Sequence, residues 1–181
     1  TPITRRPRPG LPTAPAAPPW ARAETTTSLT ASPSAPAAAD LVGGPRPAAP
    51  GHAPRHFCFH PPDTASVFVG DLILGDGDTT WIGEYRGAVA DYLRSLDRLA
   101  TLAARTLHPA HGPPIHDPAP AIARFRAHRL ERVEQVRRAV ADGHAGAPAI
   151  ARHVYGPLPP KIRTMAEAGV DAILDYLSGA E

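Results

Sequence analysis

Three side chains of this 181-residue chain sit on short turns: His52 in Pro50-Gly51-His52, Asp71 in Val69-Gly70-Asp71, and His111 in Pro109-Ala110-His111-Gly112-Pro113. Two imidazoles and a carboxylate are donors that Zn²⁺ takes in hydrolytic centres, and tight turns after strands let such side chains converge on one point. They read as the later half of a two-metal hydrolytic site. The first fifty residues add no imidazole to it, because all nine histidines lie at or beyond position 52.

Other chemistry is excluded or given a plain role. Cys58 is the single cysteine and lies between Phe57 and Phe59, so no intramolecular disulfide framework exists and a reducing compartment suits the chain. A small buried hydrophobe is the reading for Cys58; no cationic neighbour marks it as a nucleophile. Gly75-Asp76-Gly77-Asp78 lacks the ligand spacing and closing Glu of a calcium loop and is read as a turn. His60, His108 and His116 are near the three candidates in sequence, with surrounding, solvent-facing and core roles all open. His128, His144 and His153 fall in a helical region and receive no chemistry.

The elements that must hold these turns follow from apolar spacing. Phe57-Cys58-Phe59 and Ser66 to Val69 read as short strands, and Leu72 to Leu74 continue apolar before the acidic turn. Val89, Tyr92, Leu93, Leu96, Leu99, Ala100 and Ala103 recur at three and four, which predicts a helix over 87–104. Thr106 to His108 is a brief strand feeding the His111 turn. Asp117-Pro118 is an N-cap followed by proline at the first helical position, opening a helix to about Asp142 with Ile122, Phe125, Leu130, Val133, Val136 and Val140 as its buried stripe. Shorter helices are predicted over 148–155 and 163–177, the latter with Ala168, Ala172, Ile173, Tyr176 and Leu177 on its apolar face. The arginines 124, 126, 129, 132, 137 and 138, mixed with Glu131 and Glu134, read as a solvated helix face rather than a nucleic-acid surface.

Residues 1–48 are compositionally distinct. Half of the 24 prolines fall before position 51, among Ala, Arg, Ser and Thr, with Trp20 the only aromatic. Such a segment buries too little surface to offset roughly 1–2 kcal/mol of backbone ordering per residue. Its excess of Pro, Ala, Arg and Gly is also what a GC-rich gene yields when translated out of frame. Thr1-Pro2-Ile3-Thr4 requires codons that, two bases on, can read Asp-His. A disordered linker and an out-of-frame segment are the two readings, and with Met165 the only methionine the chain is expected to be processed, truncated or frameshifted.

The net charge of +2 demands no polyanionic partner. No run of about eighteen apolar residues and no hydrophobic signal core is present, so the expectation is a cytoplasmic protein with no membrane span.

Residues 50–118 resemble the C-terminal half of a metallo-β-lactamase-fold hydrolase, of the group with Pro-Gly-His, Thr-Gly-Asp, Asp-Tyr-Leu-X-Ser-Leu and Pro-Gly-His-Gly-Pro signatures. Here these read Pro50-Gly51-His52, Val69-Gly70-Asp71, Asp91-Tyr92-Leu93-Arg94-Ser95-Leu96 and Pro109-Ala110-His111-Gly112-Pro113, with separations of 19 and 40 residues between the three candidate ligands. Residues 119–177, with Ala127-His128-Arg129 and Val154 to Pro160, resemble the winged-helix-like tail that some of these hydrolases carry.

The resemblance implies an α/β fold: the second half of an αββα sandwich over 49–118, then a small all-α winged-helix-like domain over 119–181. It implies two Zn²⁺ ions, with His52 on the first, Asp71 bridging and His111 on the second. A zinc-bound hydroxide would then attack an ester, thioester or phosphodiester of a small-molecule or RNA substrate. His56 takes the second His of the Pro-Gly-His-X-X-X-His pattern, which is structural in the family. The segment around Trp81, Glu84 and Tyr85 is either a border of the substrate cleft or an ordinary loop packed by Trp81. The family's remaining ligands come from a His-X-His-X-Asp-His run that this sequence lacks, so the chain as written is expected to be inactive. A non-catalytic protein whose helical tail binds a partner, as in homodimerisation, is the alternative. An isolated half-sandwich would also expose the face its first sheet should cover and favour aggregation.

Overall fold

The computed structural model describes residues 46–61 and 64–179, so the readings of residues 1–45 lie outside the described residues. In chain order the elements are β1 (Ser66–Gly70), α1 (Ala88–Thr101), β2 (Thr106–Pro109), α2 (Pro118–Ala141), α3 (Ala147–Tyr155) and α4 (Pro160–Ser178).

β1 and β2 pair in parallel, with Val67 opposite Leu107 and Phe68 opposite His108. Parallel neighbours need a crossover connection, and α1 supplies it. Strand alternation is clean: Val67 and Val69 are fully buried while Phe68 between them is 49% exposed. The register shifts between Phe68 and Gly70, at the point where the chain leaves the sheet for Asp71. Irregularities of this kind commonly re-aim a side chain at a strand end. Phe57, Cys58 and Phe59 do not form a regular strand. Phe57 bridges Ala48 and Phe59 bridges Phe68, each as an isolated antiparallel pair.

α1 buries Val89, Tyr92, Leu93, Leu96 and Leu99, the residues its three-and-four spacing selects, and Gly87 precedes it in the left-handed region. It ends at Thr101, and Ala103 turns to positive φ rather than continuing the helix. α2 opens after Asp117 with Pro118 in its first turn, although the Asp117 side chain makes no capping hydrogen bond. α4 begins at Pro160, three residues before the spacing places it, because proline is tolerated in a first helical turn that needs no N–H.

The buried stripe of α2 differs from the apolar reading. Its buried residues are Ala121, Ile122, Phe125, Arg129, Val133, Val136 and Ala139, while Leu130 and Val140 are 40% and 46% exposed. Arg129 therefore does not belong to a solvated face. On α4, Ala166 and Val170 are buried with Ala172 and Ile173, and Ala168 is only partly so.

One apolar cluster joins Val67, Leu107, Tyr92 and Leu96 to Phe125 and Val136 of α2, Ile150 of α3 and Ile173 of α4. The helices after Pro118 thus share a core with the sheet. On the opposite side Phe57 is 52% exposed and His108 stacks on Phe68 at 4.8 Å, leaving an aromatic strip open to solvent. Among the described residues no helix is long and apolar enough to cross a membrane.

Candidate metal centre

Three turns deliver the candidate side chains, and each is pinned by backbone contacts. The His52 turn lies against α1. A Cβ on Gly51 would stand 2.6 Å from the Tyr92 Cα, and Ser95 Oγ donates to the Pro50 carbonyl at 2.7 Å. Only glycine permits that approach. The Asp71 turn leaves β1 through Gly70 at φ 55°, where a Cβ would lie 2.6 Å from His56 Nε2. The His111 turn is tied to the Asp71 turn twice, by Ala110 N–H to Gly70 O at 2.9 Å and by Gly75 N–H to His111 O at 2.8 Å.

These turns bring His52, Asp71 and His111 together. His52 Nε2 is 3.8 Å from Asp71 Oδ2, and His111 Nε2 is 3.5 Å from Asp71 Oδ1. The carboxylate therefore stands between the two imidazoles with one oxygen toward each. Among the described residues no group of three or more His, Cys, Asp or Glu side chains is arranged to hold a single ion. The two imidazoles address different oxygens of Asp71, which is an arrangement for two centres sharing a carboxylate. The His111 side chain is 76% exposed, against 28% for His52, so the site opens to solvent on the His111 side.

The orientation of His52 is fixed from behind. Its Nδ1 lies 3.1 Å from the Trp81 carbonyl, which can only accept, so Nδ1 carries the proton and Nε2 offers its lone pair toward Asp71. A carbonyl on the far ring nitrogen is the usual device for orienting a ligating histidine. Both donor type and tautomer fit zinc.

His56 does a different job. Nδ1–H donates to Ala49 O at 3.1 Å and Nε2 accepts the Asp71 backbone N–H at 3.2 Å. Both ring nitrogens are used by main chain in the neutral form, and burial, the largest cause, holds the imidazole below its ordinary pKa. The other histidines near the site are occupied elsewhere: His60 with Thr64 O, His108 against the Phe68 ring, and His116 near Thr106 Oγ1. His144 and His153 pair with each other, ring centroids 4.1 Å apart. Burial pushes the Cys58 thiol up to about 12, which removes it as a nucleophile.

Trp81 has a role the sequence left open. Besides its carbonyl on His52, its indole Nε1–H donates to the Met165 carbonyl of α4 at 3.0 Å. Tyr85 donates to Asp91 Oδ2 at 2.9 Å, and Glu84 is exposed.

The comparisons with known proteins agree with this geometry. The model of the metallo-beta-lactamase superfamily matches residues 36–111, which contain all three candidate ligands. The chain is a metallo-β-lactamase-fold protein. It is 28% identical over 72% of its length to a "Beta-lactamase-like protein 2 homolog" of Caenorhabditis elegans, covering 43% of that protein. It is 31% identical over 72% of its length to an "Atrochrysone carboxyl ACP thioesterase" of Aspergillus chevalieri, covering 44%. A metallo-beta-lactamase family protein from Thermus thermophilus superposes with a TM-score of 0.65 at 30% identity, over 75% of this chain and 44% of that one. The chain thus spans less than half the length of each of these relatives.

Proposed function

We propose that this chain carries the later ligands of a two-zinc hydrolase, with His52 serving one ion, His111 the other and Asp71 bridging them. The observation that supports this is the placement of the two imidazoles on opposite oxygens of one carboxylate, at 3.8 and 3.5 Å. A carboxylate has two oxygens to share, whereas a neutral imidazole offers one lone pair to one ion. Zinc bound there supplies Lewis acidity and lowers the pKa of a coordinated water toward neutrality.

The chain's own residues do the positioning. The Trp81 carbonyl holds the His52 proton on Nδ1, His56 fixes the Asp71 main chain, and the Gly75 and Ala110 amides hold the His111 turn against the Asp71 turn. Ester, thioester and phosphodiester centres are the substrate classes, and the name of the Aspergillus chevalieri relative favours a thioester.

In this reading each ion receives two protein donors from these residues, where a catalytic zinc takes three and a water. Loss of a single supporting partner commonly costs about 10–100-fold in affinity or activity. The 181 residues by themselves are therefore weak in zinc binding and poor in hydrolysis. Competition of the full chain with a chromophoric chelator tests the assignment: measurable zinc uptake that Asp71→Ala abolishes is expected. Uptake unchanged by Asp71→Ala overturns it.

A further inference from the structure

Arg129 lies on α2 with its side chain among apolar residues, 7% exposed. A guanidinium in that position is costly unless its hydrogen bonds repay the lost hydration. No carboxylate is among the charged groups that act on it; these are Tyr92, Tyr155 and Arg132. Its Nε has no hydrogen-bond partner among the described residues, and its charge sits over the Tyr92 ring, 5.6 Å from the centroid. The one hydrogen bond it makes is Nη2–H to the Thr80 carbonyl, buried, at 2.8 Å.

Thr80 precedes Trp81, whose carbonyl receives the His52 Nδ1 proton. The same short segment is anchored from α4. Trp81 Nε1–H donates to Met165 O at 3.0 Å, the Gly87 N–H donates to Asp175 Oδ2 at 2.8 Å, and Gly83 is packed so closely on Ala168 that a Cβ would stand 2.9 Å from its carbonyl carbon. Two helices from the end of the chain therefore grip the segment that orients a candidate ligand from its beginning.

We infer that Arg129, with the Trp81 indole as second anchor, is a positioning residue for His52: by fixing the Thr80-Trp81 peptide it sets the tautomer and aim of the imidazole. The helices after Pro118 are in this way part of the site's support. This deepens the zinc reading above, in that an oriented Nε2 is what an ion at His52 requires, but the positioning itself needs no ion.

The experiment is long-range ¹H–¹⁵N correlation of the histidine rings in the full chain without metal, which reads the tautomer directly, followed by zinc titration. Wild type shows His52 as the Nδ1–H form. Arg129→Met, and independently Trp81→Phe, convert it to a mixture of tautomers and lower zinc affinity about 10–100-fold. Arg129→Lys, which keeps a donor for Thr80 O, restores part of the Nδ1–H form. Val136→Ala, a core truncation on the same helix away from the loop, loses stability and leaves the tautomer alone. If Trp81→Phe and Arg129→Lys both fold and show His52 unchanged from wild type while Arg129→Met either does the same or fails to fold, the positioning role is overturned. If the tautomer shifts and wild type takes up no zinc, the positioning stands and the hydrolase reading fails instead.

Discussion

The backbone N–H of Asp71 donates to Nε2 of His56, fifteen residues earlier, at 3.2 Å, and His56 is held in turn by Ala49 O on its other nitrogen. The carboxylate that stands between two imidazoles is therefore fixed at its main chain by a third imidazole. Removing that acceptor should leave a half-buried N–H unpaired. His56→Leu is expected to cost about 1–3 kcal/mol in urea unfolding. Gly70→Ala, which forces a Cβ against the same ring at positive φ, should cost about as much. A midpoint unchanged in both variants would mean that this contact does not hold the turn.

Protonation acts on the same contacts. His56 and His128 both titrate below the ordinary value of 6.5, burial being the first cause in each. His128 Nε2 accepts Arg132 Nε–H at 3.3 Å, a bond that a protonated ring cannot make. As pH falls through about 6.5 the unfolded chain takes up these protons before the folded one does, so stability is complete above that pH and declines below it. The urea midpoint should fall between about pH 7.5 and about pH 5.5, and His128→Asn should flatten the fall. A midpoint that is level or higher at the lower pH contradicts the assignment.

Packing on α2 gives a third test. Phe125 is 1% exposed and Leu130 is 40% exposed. Phe125→Ala should cost about 3–5 kcal/mol, and Leu130→Ala no more than about 0.5 kcal/mol. Equal losses at the two positions would place the helix in a different rotation.

That rotation shows what the sequence could and could not tell. The residues Ile122, Phe125, Val133 and Val136 set the phase of the buried face, and the same phase points to position 129. Arginine there reads as surface because a lone buried guanidinium is costly, so the apolar Leu130 next to it was preferred. Val89, Tyr92, Leu96 and Leu99 raised no such conflict, and α1 was legible to within three residues at its C-terminal end. The three turns were legible because glycine, proline, histidine and aspartate each have a local reason to be there. The supports of His52 were not. A carbonyl of Trp81 and a carbonyl of Met165 are main-chain groups that any residue carries, and their use depends on packing between segments 84 residues apart.

Nine histidines make one spectrum decisive. In the metal-free full chain the ¹⁵N resonances of all nine rings can be followed as zinc is added. The account predicts that Nε2 of His52 and Nε2 of His111 move with zinc and that both cease to move in Asp71→Ala, while His60, His108, His116, His144 and His153 stay in place. Zinc shifts confined to the His144 and His153 pair, or shifts at His52 and His111 that survive the loss of the Asp71 carboxylate, would contradict a centre built around that carboxylate.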